Sequence, residues 1–187
     1  MPPKIKVTKE EILSAAVKIV RENGAEALNA RAVAAELNVS TQPIFSHYAS
    51  MAELKAEVIS SAAEKYAEYI REVIESGKYP DYKSSGMAYI IFAAEERELF
   101  RLLFMRDRTG ENVPDDGSDI EPIVEIIQKN TGLDRETALK LHLGMWTFVH
   151  GIATMVATDY QKWDMNLASE MLTEVYTGLK AQYMGEK

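Results

Sequence analysis

Apolar positions along this 187-residue chain recur every three to four residues almost from end to end. No stretch alternates apolar and polar residues long enough to make a strand, so the pattern predicts an all-α protein. At the start, Thr8 and Glu11 make a capping box, and Val7 and Ile12 supply a hydrophobic staple around it. Ile12, Ala16, Ile19 and Val20 follow at helical spacing, up to a Gly24 expected to stop the helix in the left-handed conformation. A second helix is expected after Asn29 as cap, burying Ala30, Val33, Ala34 and Leu37. The chain then breaks at Asn38-Val39. Ser40 is the expected cap of a short third helix, with Pro43 in its first turn, where the missing N–H costs nothing.

Ser50 and Glu53 form a second capping box opening a run from Met51 to Ser76 without Gly or Pro. At about 1.5 Å per residue this predicts a helix of roughly 39 Å. Residues 77–85, with Pro80, read as a loop. A helical run over about 87–108 follows, with an interruption expected at the charged Glu95-Glu96-Arg97-Glu98. Residues 109–118 are the most loop-like stretch of the chain. Three more helices are expected: about 120–131, ended by Gly132; about 135–158, capped by Asp134; and about 166–184.

Composition narrows the function. Cys is absent, which excludes a disulfide scaffold, thiolate metal sites and cysteine catalysis, and fits a reducing cytoplasm. No apolar run reaches the roughly 20 residues of a membrane-spanning helix, and no apolar stretch follows the basic N-terminus as in a signal peptide. A cytoplasmic location and no membrane partner are therefore expected. The three histidines, His47, His142 and His150, fall in no Glu-x-x-His pair, and no P-loop, dinucleotide fingerprint or G-x-S-x-G elbow occurs. Residues 115–119 lack calcium-loop spacing. The expectation is a protein that is not an enzyme and has no cofactor or metal.

The net charge of −8 is unevenly placed. Residues 1–58 hold seven Lys/Arg and seven Asp/Glu, a balance of zero, so the whole excess of acid lies in residues 59–187. This suggests two parts with different tasks, set at 1–50 and 51–187.

Residues 29–48, NARAVAAELNVSTQPIFSHY, have the spacing of a helix-turn-helix. Ala34 and Ala35 allow two helices to cross closely. Asn38 stands where the turn needs a residue tolerant of positive φ, and Val39 can plug it against the core. The third helix should turn Ile44 and Tyr48 inward and its short polar residues outward, with its amino end suited to an anion.

This arrangement, with Phe45-Ser46-His47-Tyr48 just before a long capped helix, resembles the TetR family of bacterial repressors over about residues 8–58. Further on, residues 98–104 (ELFRLLF) and Trp146-x-x-x-His150-Gly151 are similar to a subgroup with a Trp…His-Gly motif in its ligand domain. The resemblance implies a three-helix DNA-binding domain, a helical domain for ligand binding and dimerisation, and a homodimeric repressor on a palindromic operator. It implies release by a small-molecule effector. Base contacts fall to Thr41, Gln42, Pro43, Ser46 and His47: Gln pairs with adenine, Thr and Pro touch thymine methyls, and His donates to guanine or phosphate. Arg31, Ser40 and Tyr48 are assigned to phosphate. The alternative for His47 and Tyr48 is packing against the first helix. Lys4, Lys6 and Lys9 read either as an arm on the DNA or as a solvated tail.

Three departures from the family stand out. Phe45 replaces a frequent Tyr whose hydroxyl reaches a phosphate, Met51 replaces a frequent Lys, and Gln42-Pro43 replaces Gly-Thr or Gly-Ser. With a neutral N-terminal part, these imply a shallow salt dependence of DNA binding.

Residues 139–156 are apolar nearly all round, and a helix of that kind must be covered on every side. A partner chain is the expected cover, giving four-helix packing through residues 134–158 and 166–184 across a two-fold axis. Trp146 and His150 share a helix face. With Tyr89, Phe92, Phe100, Phe104 and Met105 they suit either a packed core or a cavity for an apolar or amphiphilic effector, neutral or cationic beside so acidic a domain. A competing function is a helical small-molecule-binding protein with weak or lost DNA recognition, for which the neutral N-terminal part speaks.

Overall fold

The computed structural model describes residues 7–107, 109 and 120–185. Among them the chain is helical, with no strand: α1 (Lys9–Asn23), a 3-10 turn (Ala25–Ala27), α2 (Ala30–Glu36), α3 (Gln42–His47), α4 (Met51–Glu75), α5 (Asp81–Glu95), α6 (Arg97–Phe104), α7 (Glu121–Thr131), α8 (Arg135–Ala157) and α9 (Met165–Met184). Lys4, Lys6 and residues 110–119 lie outside the described residues.

Local signals account for most helix ends. Thr8 and Glu11 exchange both hydrogen bonds of the capping box. Asn29 caps α2, Asp134 caps α8 and Gly132 ends α7 in the left-handed region. At the start of α4, Ser50 accepts from the Glu53 N–H while the Glu53 carboxylate reaches back one residue further, to the N–H of Ala49.

Three ends differ from the sequence expectation. Gly24 ends α1 at φ 82°, ψ 166°, an extended mirror-image conformation instead of the left-handed helical one. A side chain there would also crowd the Glu98 carboxylate, 3.1 Å from where its Cβ would stand. The helix after the Pro80 loop begins at Asp81, because Ser84 N–H already reaches the Pro80 carbonyl (2.8 Å). Pro80 therefore stands immediately before α5 and accepts its first helical hydrogen bond, and residues 81–85 are helix, not loop. Third, Ser40 is not a helix cap; the N-cap position of α3 falls on Thr41, with no capping side chain.

The chain divides into two compact units. The first takes residues up to 67 together with 96–106, so α6 joins α1–α3 and the opening of α4. Its core is Ile12, Ala16, Val20, Val33, Ile44, Leu54 and Val58. α6 packs on α1, and Arg21 on α1 grips Glu96 with two hydrogen bonds (2.7 and 2.6 Å), although that carboxylate is only 6% exposed. The expected break near Glu95–Glu98 is thus real, and Glu96 sits in it as an anchor.

In the second unit, residues 68–95 and 107 onward, α5 packs on α8 and α9, and α7 packs on α8. Met87, Ile90, Phe92, Ile127, Leu141, Ile152 and Leu172 form its core. Gly86 lets the helices approach: a Cβ there would lie 3.0 Å from Leu172 and 3.4 Å from Val149. No described helix is long and apolar enough to cross a membrane.

Candidate nucleic-acid interface

The turn between α2 and α3 is built from its backbone. Asn29 accepts from the N–H groups of Arg31 (3.1 Å) and Ala32 (3.0 Å), fixing the start of α2. At its other end Asn38 adopts φ 53°, and two reversed hydrogen bonds close the helix: Val39 N–H to the Ala34 carbonyl (2.9 Å) and Asn38 N–H to the Ala35 carbonyl (3.1 Å). This is the Schellman ending that a left-handed Asn permits. It redirects the chain within three residues into α3. There Ile44 and Tyr48, four residues apart, are buried, packing α3 on its own unit.

That anchoring fixes which side chains face outward. Gln42, Phe45 and Ser46 are exposed on α3, Ser40 is exposed just before it and Arg31 in the first turn of α2; Thr41 and Pro43 are half-buried. Ser46 Oγ donates to the Gln42 carbonyl (2.9 Å), so its hydroxyl hydrogen is committed to the helix. Phe45, which the sequence reading noticed only as a missing hydroxyl, is 51% exposed. The signal for this was present: if 44 and 48 point inward, 45 must point out.

Two assigned contacts are placed otherwise. Tyr48 is 1% exposed, and its hydroxyl donates to the Glu57 carboxylate (2.8 Å) instead of presenting itself to a phosphate. Lys9 binds the same carboxylate and lies over the tyrosine ring, 5.1 Å from its centre. Burial, reinforced by the hydrogen bond to Glu57, raises the pKa of Tyr48. Hydrogen bonds from Lys9 and Tyr48 hold Glu57 below the usual carboxylate value. Lys9 is accordingly part of a triad that links α1 and α4 with Tyr48 at the end of α3. His47 is exposed, yet its Nε2–H donates to the Val7 carbonyl (3.0 Å), which occupies the proton assigned to guanine or phosphate.

The candidate ligand residues separate into groups. In the second unit, Tyr89 and His150 Nδ1 share a hydrogen bond of 2.9 Å, and Trp146 stacks on His150 with ring centres 5.4 Å apart at 20°. Phe92, also in that unit, is fully buried edge-on to Tyr69. Phe100 and Phe104 pack together in the first unit, Phe104 against Tyr66, while Met105 of that unit is exposed. A second pair escaped the sequence reading: Tyr82 and His142 Nδ1, 3.2 Å apart, with Tyr176 alongside. The repeat of Tyr at 82 and 89 against His at 142 and 150 was its signal. Burial lowers the pKa of both histidines.

Known proteins resemble the chain throughout. Residues 12–58 match the bacterial regulatory proteins of the tetR family, and residues 83–176 match the tetracyclin repressor-like C-terminal domain. The whole chain is 20% identical over 190 residues to a Bacillus subtilis (strain 168) protein described as an uncharacterized HTH-type transcriptional regulator, YobS, and spans 98% of it. The crystal structure of a regulatory protein, SCO4313, superposes with a TM-score of 0.67 at 22% identity, over 90% of this chain and 94% of that one. A TetR-family member from Streptomyces coelicolor A3, SCO1917, gives 0.59 at 20% identity, over 89% and 96%. The chain belongs to the TetR family, whose members are DNA-binding transcription factors and not enzymes.

Proposed function

Starting from that membership, we propose that the chain is a homodimeric repressor that reads a palindromic operator with α3 and is released by a small apolar or amphiphilic effector. One observation carries the dimer. Leu143 (46% exposed) and Trp146 (48% exposed) stand in water on α8, with Leu167 exposed on α9, while Leu141, Met145, Val149 and Ile152 of α8 are buried in its own unit. Leu139, Leu143, Trp146 and His150 follow one another at spacings of four, three and four, the stripe along which two helices pack. A second copy covers that stripe. Two α3 helices then meet successive major grooves about 34–36 Å apart, which doubles the sequence that one short helix can read.

Arg31 is the phosphate contact on this reading, and Gln42 is the base-reading side chain, pairing with adenine N6 and N7. The effector binds in the second unit and favours a dimer whose two α3 helices no longer match the operator. Operator must then weaken effector binding by the same factor.

The test is a gel shift of the full chain on the duplex upstream of its own reading frame, with light scattering on the same mixture. Two chains per duplex and loss of the shift in Gln42→Ala are expected. A monomer at micromolar concentration would overturn the dimer. Retarded DNA with no sequence preference would favour the helical binding protein with lost recognition.

A further inference from the structure

The exposed surface of α3 carries no Lys, Arg, Asp or Glu, and its largest side chain is apolar: Phe45 between Gln42 and Ser46. We propose that the Phe45 ring is a specificity-determining contact that recognises the C5-methyl group of a thymine in the major groove. This rests on the DNA-binding reading of α3. A phenyl ring has no hydrogen-bonding group, so it gains nothing from a phosphate or a polar base edge. The thymine methyl is the one apolar feature that base pairs display in the major groove. Position 45 follows Gln42 by three residues, so the two side chains stand one helical turn apart on the same face. Gln42 reads an adenine and Phe45 tests for a methyl close by on the groove floor.

Charge favours this occupant. Residues 1–58 sum to zero, and within the first unit Lys9, Lys18 and Arg21 are engaged by Glu57, Glu36 and Glu96. Phosphate attraction is correspondingly small, and neutral contacts must supply more of the recognition. An aromatic ring kept half in water by the buried neighbours Ile44 and Tyr48 gains on docking, because the methyl and the ring both leave water.

The experiment begins by selecting duplexes from a random pool with the full chain. In the recovered sequence each thymine is then replaced singly by deoxyuridine, which deletes only the methyl group. Affinities are measured by fluorescence anisotropy for the natural chain, Phe45→Ala and Phe45→Leu, with circular dichroism to check that each variant is folded. At one thymine per half-site, deoxyuridine should weaken the natural chain about fourfold, the worth of one methyl-sized group leaving water. The difference between thymine and uracil should vanish in Phe45→Ala and persist in Phe45→Leu.

Indifference of the natural chain to every replacement would overturn the proposal, leaving a sequence-independent contact with deoxyribose. A penalty that survives unchanged in Phe45→Ala would overturn it too, by assigning the methyl to another residue. If the selection enriches no sequence at all, the DNA-binding reading fails together with this one. Enrichment without a uracil effect removes this inference alone.

Discussion

Replacing Arg21 by Met tests how α6 comes to belong to the first unit. Glu96 is 6% exposed and accepts two charge-assisted hydrogen bonds from Arg21. Removing one partner of a fully buried pair costs about 3–5 kcal/mol, because the other charge stays behind unpaired. Here Arg21 is itself 52% exposed, and water follows its path inward when it is truncated. The expected loss is therefore lower, about 1–3 kcal/mol. Pairing Arg21→Met with Glu96→Leu removes the stranded charge and should restore stability to within about 1 kcal/mol of the natural chain.

Urea unfolding followed by far-UV circular dichroism, at one fixed protein concentration, gives all four corners of this cycle. Strong non-additivity is the expected outcome. Arg21→Met as stable as the natural chain, or penalties that simply add in the double variant, would refute the anchoring role.

Four further outcomes follow from the same geometry. Tyr48→Phe should lower the urea midpoint while keeping specific DNA affinity within about twofold; a folded variant with much weaker binding would return the hydroxyl to the phosphate role. Asn29→Ala should cost about 1 kcal/mol by freeing two N–H groups at the start of α2, whereas Ser40→Ala should stay within about 0.5 kcal/mol because Ser40 caps nothing. His142 and His150 have pKa values lowered from 6.5 by burial, so between those values and 6.5 the unfolded chain binds more protons than the folded one. Stability is then fully present above about pH 6.5 and declines on acidification below it; His142→Phe with His150→Phe should flatten that slope, and an unchanged slope would contradict it. Leu143→Glu should leave a folded monomer by light scattering, and an intact dimer would move the interface off α8.

The sequence was legible wherever the cause of a feature is local. Capping at Thr8, Asn29 and Asp134, the positive φ of Asn38 and the break before α6 each depend on residues within a few positions, and each was expected. Tyr48 illustrates the opposite. Its carboxylate partner lies nine residues ahead, and Lys9, which shares that carboxylate, lies far behind it on α1, so no local pattern distinguished a buried hydroxyl from an exposed one. The packing of α6 on α1, with its Arg21–Glu96 pair 75 residues apart, was equally hidden. Phe45 was overlooked for another reason: comparison with a frequent Tyr directed attention to the hydroxyl it lacks and away from the ring it presents. The aromatic candidates grouped by residue type likewise divide between the two units, because helical spacing along the chain does not say which helices meet.

The most direct measurement is the ratio of affinities of the full chain for its upstream duplex and for a scrambled duplex of the same composition, at physiological salt. A chain that reads bases with Gln42 and its neighbours on α3 should prefer its own site by at least about 1,000-fold. Equal affinities for the two duplexes would contradict sequence reading by α3.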